Sequence, residues 1–321
     1  MTTLLMLPPQ TPTTREWAAR VATALPELAV VVAEDEAHAA REIGRAEAAF
    51  GTLTPALLPK ATRLRWLQAP QAAPPAGFYY PALIAHPVAI TNFREIYNDH
   101  IGAHIMAFVL AFARGLHHYL PLQLRREWKP AAHDTGVVHL PEATALIVGV
   151  GGIGSEAARL CEAFGMRVIG VDARRREAPP GVSKLDGPEA LDALLPEADF
   201  VILTVPHTPE TEGFMHRGRF QRMKRSAFFI NIGRGMTTRL DDLVAALRAG
   251  EIAGAALDVF EQEPLPPTHP LWTTPNVLIT PHTAGHGPYL DDRRCEILLD
   301  NCRRFLAGQP LRNVVEKARW F

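Results

Sequence analysis

The feature that most restricts what this chain can fold into is a single turn. Gly149-Val150-Gly151-Gly152-Ile153-Gly154 starts within the end of the apolar run LIVGV and opens the amphipathic stretch SEAARLCEAFG. In a strand-turn-helix unit of this kind each glycine has a separate role. The first permits a tight turn, the second lets backbone come close to a pyrophosphate, and the third lets helix and strand pack closely. The N-terminus of the following helix then faces the negative charge. A glycine triplet alone is weak evidence, but here a second apolar run, MRVIGVD, ends at Asp172, eighteen residues beyond Gly154. That combination predicts a dinucleotide-binding βαβ unit.

Asp172 is placed to accept hydrogen bonds from ribose hydroxyls, which favours NAD, because a carboxylate repels a 2′-phosphate. Arg174, Arg175 and Arg176 follow at once and offer cations for that phosphate, so NADP stands as the alternative; as a short charge run they also fit a solvated loop.

The remaining chain reads as two βα series. In the first, Leu4-Leu7, Leu28-Val32, Glu47-Phe50, Leu64-Gln68 and Val88-Thr91 are strand candidates, and Thr14-Leu25 is a helix with Thr14 as N-cap and Pro26 as stop. A long apolar helix is predicted from Asn98 to about Leu122, and a polar stretch runs from there to about Glu142. The second series follows: ATALIVGV, MRVIGVD, ADFVILTV, SAFFINI, GAALDVF and VLITPH, then a last helix over Tyr289-Ala307. Its strands are almost continuously apolar, as a parallel sheet covered on both faces requires. At 321 residues two domains are a better expectation than one.

Composition narrows the partners. A net charge of -1 and a pI near 6.9 give no field to gather nucleic acid or anionic lipid. Cys161, Cys295 and Cys302 form no C-x-x-C pair, which argues against a disulfide framework or zinc site and for a reducing, cytoplasmic setting. The opening MTTLLMLPPQ lacks a basic stretch and breaks at Pro8-Pro9, so it is expected to be a first strand, not a secretory leader. His100 and His104 fall one helical turn apart, a spacing open to metal binding; with no Glu beside His100 and no third ligand in view, packing and cleft lining are the expectation.

Three polar residues stand just past strand ends of the second series: Arg234 in INIGRG, Glu263 in ALDVFEQEPLP and His282 in LITPHTAG. Reducing a 2-oxo acid needs a cation to hold the carboxylate and polarise the carbonyl, and an acid to protonate the alkoxide. An arginine is a permanently charged planar fork suited to the first role. A histidine ordinarily titrates near neutrality and suits the second, with Glu263 to orient its ring.

With these motifs in order (VGVGGIG, ADFVILTVPHTPET, INIGRG, AALDVFEQEPLP, TPHTAG), nearly the whole chain resembles the D-isomer-specific 2-hydroxyacid dehydrogenases, including glyoxylate/hydroxypyruvate reductases and phosphoglycerate dehydrogenases. The resemblance implies an α/β fold of two Rossmann-like or flavodoxin-like domains with parallel sheets. A cofactor domain (98-288) would be inserted into a discontinuous substrate domain (1-97 and 289-321). It implies an NAD(P)-dependent oxidoreductase interconverting a 2-oxo acid and a D-2-hydroxy acid, with Arg234 on the substrate and His282-Glu263 as the acid-base pair. Asp258 would contact the nicotinamide end, Thr204, Pro206 and Thr211 would line the cofactor site, and Ile153 would continue the phosphate turn. A homodimer through the cofactor domain is implied as well. A formate dehydrogenase is disfavoured by Glu263, where those enzymes carry Gln. A nucleotide-sensing, corepressor-like binding protein of the same fold is the alternative from another class.

The Ala- and Pro-rich segment Ala69-Pro81 leaves a strand end, where open α/β sheets bind ligands. Ala72 and Ala73 are the substrate-contact candidates there, together with His286 four residues past His282. Where relatives carry glycine and a free N–H for the substrate carboxylate, this chain has Ala73 and Pro74, and proline has no N–H to give. Ala76-Gly77 offers a second alignment. In the first, one anion donor is missing, which disfavours glyoxylate and pyruvate relative to substrates with additional polar groups.

Overall fold

In the computed structural model, which describes residues 1–72, 77–130 and 136–318, the chain divides into two compact units, Met1–Ile96 with Pro288–Phe321, and Tyr97–Gly287. The first unit holds strands β1 (Thr2–Met6), β2 (Leu28–Val32), β3 (Ala48–Phe50), β4 (Trp66–Gln68) and β5 (Ala89–Thr91), all parallel in the order β2-β1-β3-β4-β5. Three helices lie between them, α1 (Pro12–Ala24), α2 (Glu36–Glu42) and α3 (Pro81–Ala85). The first of these begins earlier than its periodicity suggests. Thr11, not Thr14, is the N-cap, and Thr14 closes a capping box from the N3 position after a proline at N1.

A buried polar network ties the C-terminal helix, Leu290–Leu306, to this sheet. Asn301 donates to the Gln68 side-chain oxygen (3.2 Å), which also accepts from Thr91 (2.7 Å); Thr91 in turn accepts from the Trp66 indole (2.8 Å). Each of the four residues is buried, and each polar group here has a partner, the condition under which such a network rigidifies a core.

The second unit holds α4 (Asn98–Ala113), α5 (Leu116–Leu124), β6 (Thr144–Val148), α6 (Gly152–Ala163), β7 (Arg167–Val171), β8 (Lys184–Asp186), α7 (Leu191–Leu194), β9 (Phe200–Leu203), α8 (Arg217–Phe220), β10 (Phe228–Asn231), α9 (Leu240–Arg248), β11 (Gly254–Leu257) and β12 (Val277–Ile279). Its seven parallel strands run in the order β12-β11-β10-β9-β6-β7-β8. The order reverses between β6 and β9, and a doubly wound sheet binds its ligand outside the strand ends at such a point. Alternate residues of the central strands feed two separate cores. Leu146, Val148, Val201, Leu203 and Phe229 pack on one face, and Ala145, Ile147, Phe200, Ile202 and Phe228 on the other.

Two further elements depart from the sequence expectation. The predicted Asn98-Leu122 helix is two helices bent by 77°, because Gly115 adopts a left-handed conformation (φ 69°) that ends α4. No single helix among the described residues is long and apolar enough to cross a membrane. Strand β8, with the sequence KLD, has no counterpart in the sequence reading: it is a short, polar edge strand without apolar periodicity.

All three cysteines are buried and free. Desolvation pushes the Cys161 and Cys302 thiols up to about 12, the latter with help from Cys295, and desolvation also raises Cys295. Since a thiol raised in the fold favours the neutral form, its contribution to stability is complete below the ordinary thiol range and is lost as pH climbs toward 12. At pH 8 Ellman's reagent should therefore leave the native protein unlabelled over minutes and titrate three thiols in denaturant; rapid native labelling would contradict this burial.

Candidate active site

The glycine turn sits at the end of β6. Gly149 has φ 96°, and a Cβ there would meet Val205 at 2.8 Å, so no other residue fits without displacement. A Cβ on Gly154 would lie 2.1 Å from the Gly149 carbonyl oxygen, which is the close helix-strand approach read from the motif. A Cβ on Gly151, by contrast, would meet nothing within 4 Å, and no side chain caps α6 at this residue. Gly152 and Ile153 begin the helix behind it. An open backbone surface at an uncapped helix N-terminus fits a phosphate group, so the residues present suit a dinucleotide.

Asp172, at the end of β7, holds this turn from the side. One carboxylate oxygen accepts from the Val150 N–H (2.8 Å), and the other from the N–H groups of Arg174 (2.8 Å) and Arg175 (2.9 Å). The Arg175 guanidinium returns a bond to the Val150 carbonyl (3.0 Å). Arg174, Arg175 and Arg176 are all exposed. After β9, Thr204 donates to the Gly149 carbonyl (2.5 Å), while Thr211 donates to the Pro206 carbonyl (2.7 Å) and accepts from Thr208 N–H (2.7 Å). These side chains shape the turns that border the glycine loop.

Arg234 follows β10. Buried Asn231 sets its turn, donating to the Arg234 carbonyl (3.2 Å) and accepting from Gly233 N–H (2.9 Å). The guanidinium donates to the Gly233 carbonyl at 2.6 Å. The residue is open to solvent on one side, yet enough protein surrounds the charged group to lower its pKa, desolvation being the main cause and the Glu263 carboxylate working against it. An arginine lowered from so high a starting value stays charged.

Glu263 and His282 come together. His282 Nδ1 lies 2.7 Å from one Glu263 oxygen, and the other accepts from Phe260 N–H (2.9 Å). The contact fixes the ring with Nδ1 toward the carboxylate and leaves Nε2 for another partner; His282 is half exposed. His282 itself takes a left-handed backbone conformation (φ 53°). Asp258, almost wholly buried, holds that loop. Its main-chain carbonyl accepts from His282 N–H (2.9 Å), and its carboxylate accepts from Thr280 Oγ1 (2.6 Å), Thr283 N–H (2.8 Å) and Ala284 N–H (3.0 Å). His286 is exposed, its N–H bonded to the Thr283 carbonyl (2.8 Å).

In the first unit, the Ala72 carbonyl accepts from the Asn92 side chain (2.9 Å). Ala73, Pro74 and Ala76 lie outside the described residues. Sequence reasoning missed Asn231, Thr280, His104 and Asn92 as residues that hold these loops. Asn231 and Thr280 end or follow strands inside recognised motifs, which was the available signal; His104 and Asn92 are brought close only by tertiary folding. Among the described residues no group of three or more His, Cys, Asp or Glu side chains is placed to hold a metal.

The family model for the D-isomer specific 2-hydroxyacid dehydrogenase NAD binding domain matches residues 106–284. A glyoxylate reductase from Korarchaeum cryptofilum is 36% identical over 234 residues, 72% of this chain and 70% of the relative. Two solved structures align over the full length. A D-isomer specific 2-hydroxyacid dehydrogenase from Xanthobacter autotrophicus Py2 in complex with NADPH and MES has a TM-score of 0.84 at 28% identity, covering 100% of this chain and 99% of that one. An NADPH-dependent glyoxylate/hydroxypyruvate reductase from Sinorhizobium meliloti, in complex with NADP and sulfate, has a TM-score of 0.82 at 28% identity, with 100% of both chains covered.

Proposed function

The chain belongs to the D-isomer specific 2-hydroxyacid dehydrogenase family, and on that premise we propose that it reduces a small 2-oxo acid to the D-2-hydroxy acid, with Arg234, Glu263 and His282 at the reacting end. The observation that carries this reading is the 2.7 Å contact between His282 and Glu263. Arg234 binds the substrate carboxylate and polarises the adjacent carbonyl. His282, protonated on Nε2, gives its proton to the carbonyl oxygen as that oxygen becomes an alkoxide. Glu263 keeps the ring oriented and stabilises the imidazolium. When bound, the nicotinamide supplies the hydride for the carbonyl carbon. Gly149, Gly151, Gly152, Ile153 and Gly154 would hold its pyrophosphate, bordered by Thr204, Pro206 and Thr211, and Asp258 would lie toward the nicotinamide end. In this reading the unit Tyr97–Gly287 is the cofactor domain, with His286 as its further substrate contact, and Met1–Ile96 with Pro288–Phe321 the substrate domain, with Ala72 as its candidate contact.

For the cofactor, Asp172 argues for NAD by its charge. However, its two oxygens already take three backbone N–H bonds, and three arginines follow it on an exposed loop. The similar proteins from Xanthobacter autotrophicus and Sinorhizobium meliloti were solved with NADPH and NADP. Both dinucleotides are accepted in this reading, and NADPH is preferred. The substrate is closer to hydroxypyruvate than to glyoxylate, because Pro74 removes one backbone donor and an extra hydroxyl offers a second handle. The working form is a cytoplasmic homodimer; Leu116, Leu120, Leu124 and Trp128 expose an apolar face on and after α5.

Three measurements test these assignments. His282→Asn should lower kcat on the order of 10²–10⁴-fold while leaving the NADPH dissociation constant, read by fluorescence, nearly unchanged; retention of activity at neutral pH removes the acid-base role. In steady-state assays crossing NADPH and NADH with hydroxypyruvate and glyoxylate, kcat/KM should be highest for NADPH with hydroxypyruvate, and Arg174→Ala should cost about ten- to a hundredfold with NADPH only. A preference for NADH would mean that Asp172 outweighs the arginines. Sedimentation should give a dimer that Leu120→Glu with Leu124→Glu converts to monomer; an unaffected dimer places the interface elsewhere.

A further inference from the structure

We infer that His104 is a positioning residue for His282, acting through Thr280 and Asp258; the inference rests on the acid-base assignment proposed above. His104 lies on α4, a segment with no motif of its own, and its Nε2 is 3.0 Å from Thr280 Oγ1. Thr280 has one hydroxyl proton, and the 2.6 Å contact to an Asp258 oxygen, short as bonds to a carboxylate are, takes it. The hydroxyl oxygen can then only accept, so the His104 ring carries its hydrogen on Nε2 and donates. Burial lowers the His104 pKa, with Asp258 working in the opposite direction, so the ring is neutral at physiological pH and the donor is an uncharged N–H. Phe108, one turn along α4, meets the imidazole edge to face (4.7 Å between centroids, 87° between planes) and limits its rotation.

The relay ends on the group that grips both sides of His282. The Asp258 oxygen bonded by Thr280 also accepts from Thr283 N–H, its other oxygen accepts from Ala284 N–H, and its main-chain carbonyl accepts from His282 N–H. A left-handed histidine stays in place only while its neighbours hold it. With His104 present, the Thr280 hydroxyl has one orientation, and the carboxylate rotamer that serves residues 283 and 284 is fixed with it. Without His104 the hydroxyl is free to turn, the carboxylate loses its defined partner, and the His282 ring drifts from the substrate oxygen. Misplacement by about 1 Å at a reacting group costs up to about a hundredfold in rate.

The experiment uses the full-length protein carrying His104→Leu, His104→Gln, Thr280→Val or Thr280→Ser, and the double change His104→Leu with Thr280→Val. Measured are kcat and KM with NADPH and hydroxypyruvate, the NADPH dissociation constant by fluorescence, and the melting temperature. His104→Leu should lower kcat about ten- to a hundredfold with KM and NADPH affinity within about twofold of wild type. His104→Gln, whose carboxamide N–H stands near the position of Nε2, should restore most of the turnover, as should Thr280→Ser. Thr280→Val should match His104→Leu, and the double change should be no worse than either, because both interrupt one relay. Undiminished kcat in His104→Leu, no recovery in His104→Gln, or fully additive losses in the double variant would each overturn the inference. If His104→Leu does not fold, His104→Ala, read against His104→Gln in the same assays, decides the same question. His282→Asn in the same assay separates the two failures: full activity there removes the acid-base assignment, whereas full activity confined to His104→Leu and Thr280→Val removes only the relay.

Discussion

A carboxylate buried beneath a loop must have its lone pairs met, and in this protein that requirement shapes the candidate active site. Asp258 is almost fully buried, and its side-chain and main-chain oxygens accept bonds from four successive or near-successive residues, Thr280, His282, Thr283 and Ala284. An ionised group in such a place is tolerated only because these donors replace the water it has lost. The reverse also holds: the loop adopts its form, including the left-handed His282, because a charge beneath it collects its N–H groups. Fold and chemistry meet in one residue at the end of β11.

The parallel sheet explains why this residue has company. All seven strands of the second unit point the same way, so every β-to-α turn emerges at one edge. Asp172 follows β7, Thr204 follows β9, Arg234 follows β10, and Asp258 follows β11. Each turn is then tightened by local bonds: Asp172 to Val150, Thr204 to Gly149, Asn231 to Gly233. The glycines serve the same end by letting one turn press on the next, as Gly154 does on Gly149 and Gly149 on Val205. Rigid strands therefore set the positions of groups that are distant in sequence, and short bonds set their angles.

This division accounts for what can be read from the sequence. The apolar runs of β6, β7 and β9 to β11 are legible because burial on both faces keeps them almost continuously apolar, and the glycine turn is legible because Gly149 and Gly154 admit no Cβ without displacement. The lysine and aspartate of β8 carry no such signal: this edge strand is held by backbone pairing to β7 and by Leu185 packed against the core. Gly115 stands in a run whose apolar periodicity continues on both sides, so the sequence shows one helix where the backbone turns by 77°. In the site, Arg234, Glu263 and His282 are visible as polar residues just beyond apolar strands, whereas the partnership of His104 with Thr280 spans two elements far apart in the chain and follows only from how α4 packs.

The charges of the site impose a further condition on a substrate that is itself an anion. Asp172, Asp258 and Glu263 would together repel a 2-oxo acid, yet each has been turned onto the protein: Asp172 onto three N–H groups, Asp258 onto two N–H groups and a hydroxyl, Glu263 onto Phe260 N–H and His282. Donors aimed at a carboxylate offset much of its outward field, as the same groups do when they bind a free anion. Arg234 is treated differently. Its bond is to a neutral carbonyl, that of Gly233, and its one opposing charge is the Glu263 carboxylate, which is already engaged by His282. For the proposed reaction that asymmetry is the useful one: an incoming carboxylate finds the Arg234 guanidinium open to it and meets carboxylates whose charge is already engaged. Arg234 thus attracts the substrate while Glu263 remains committed to His282, and one cation and one carboxylate can stand close together without cancelling each other.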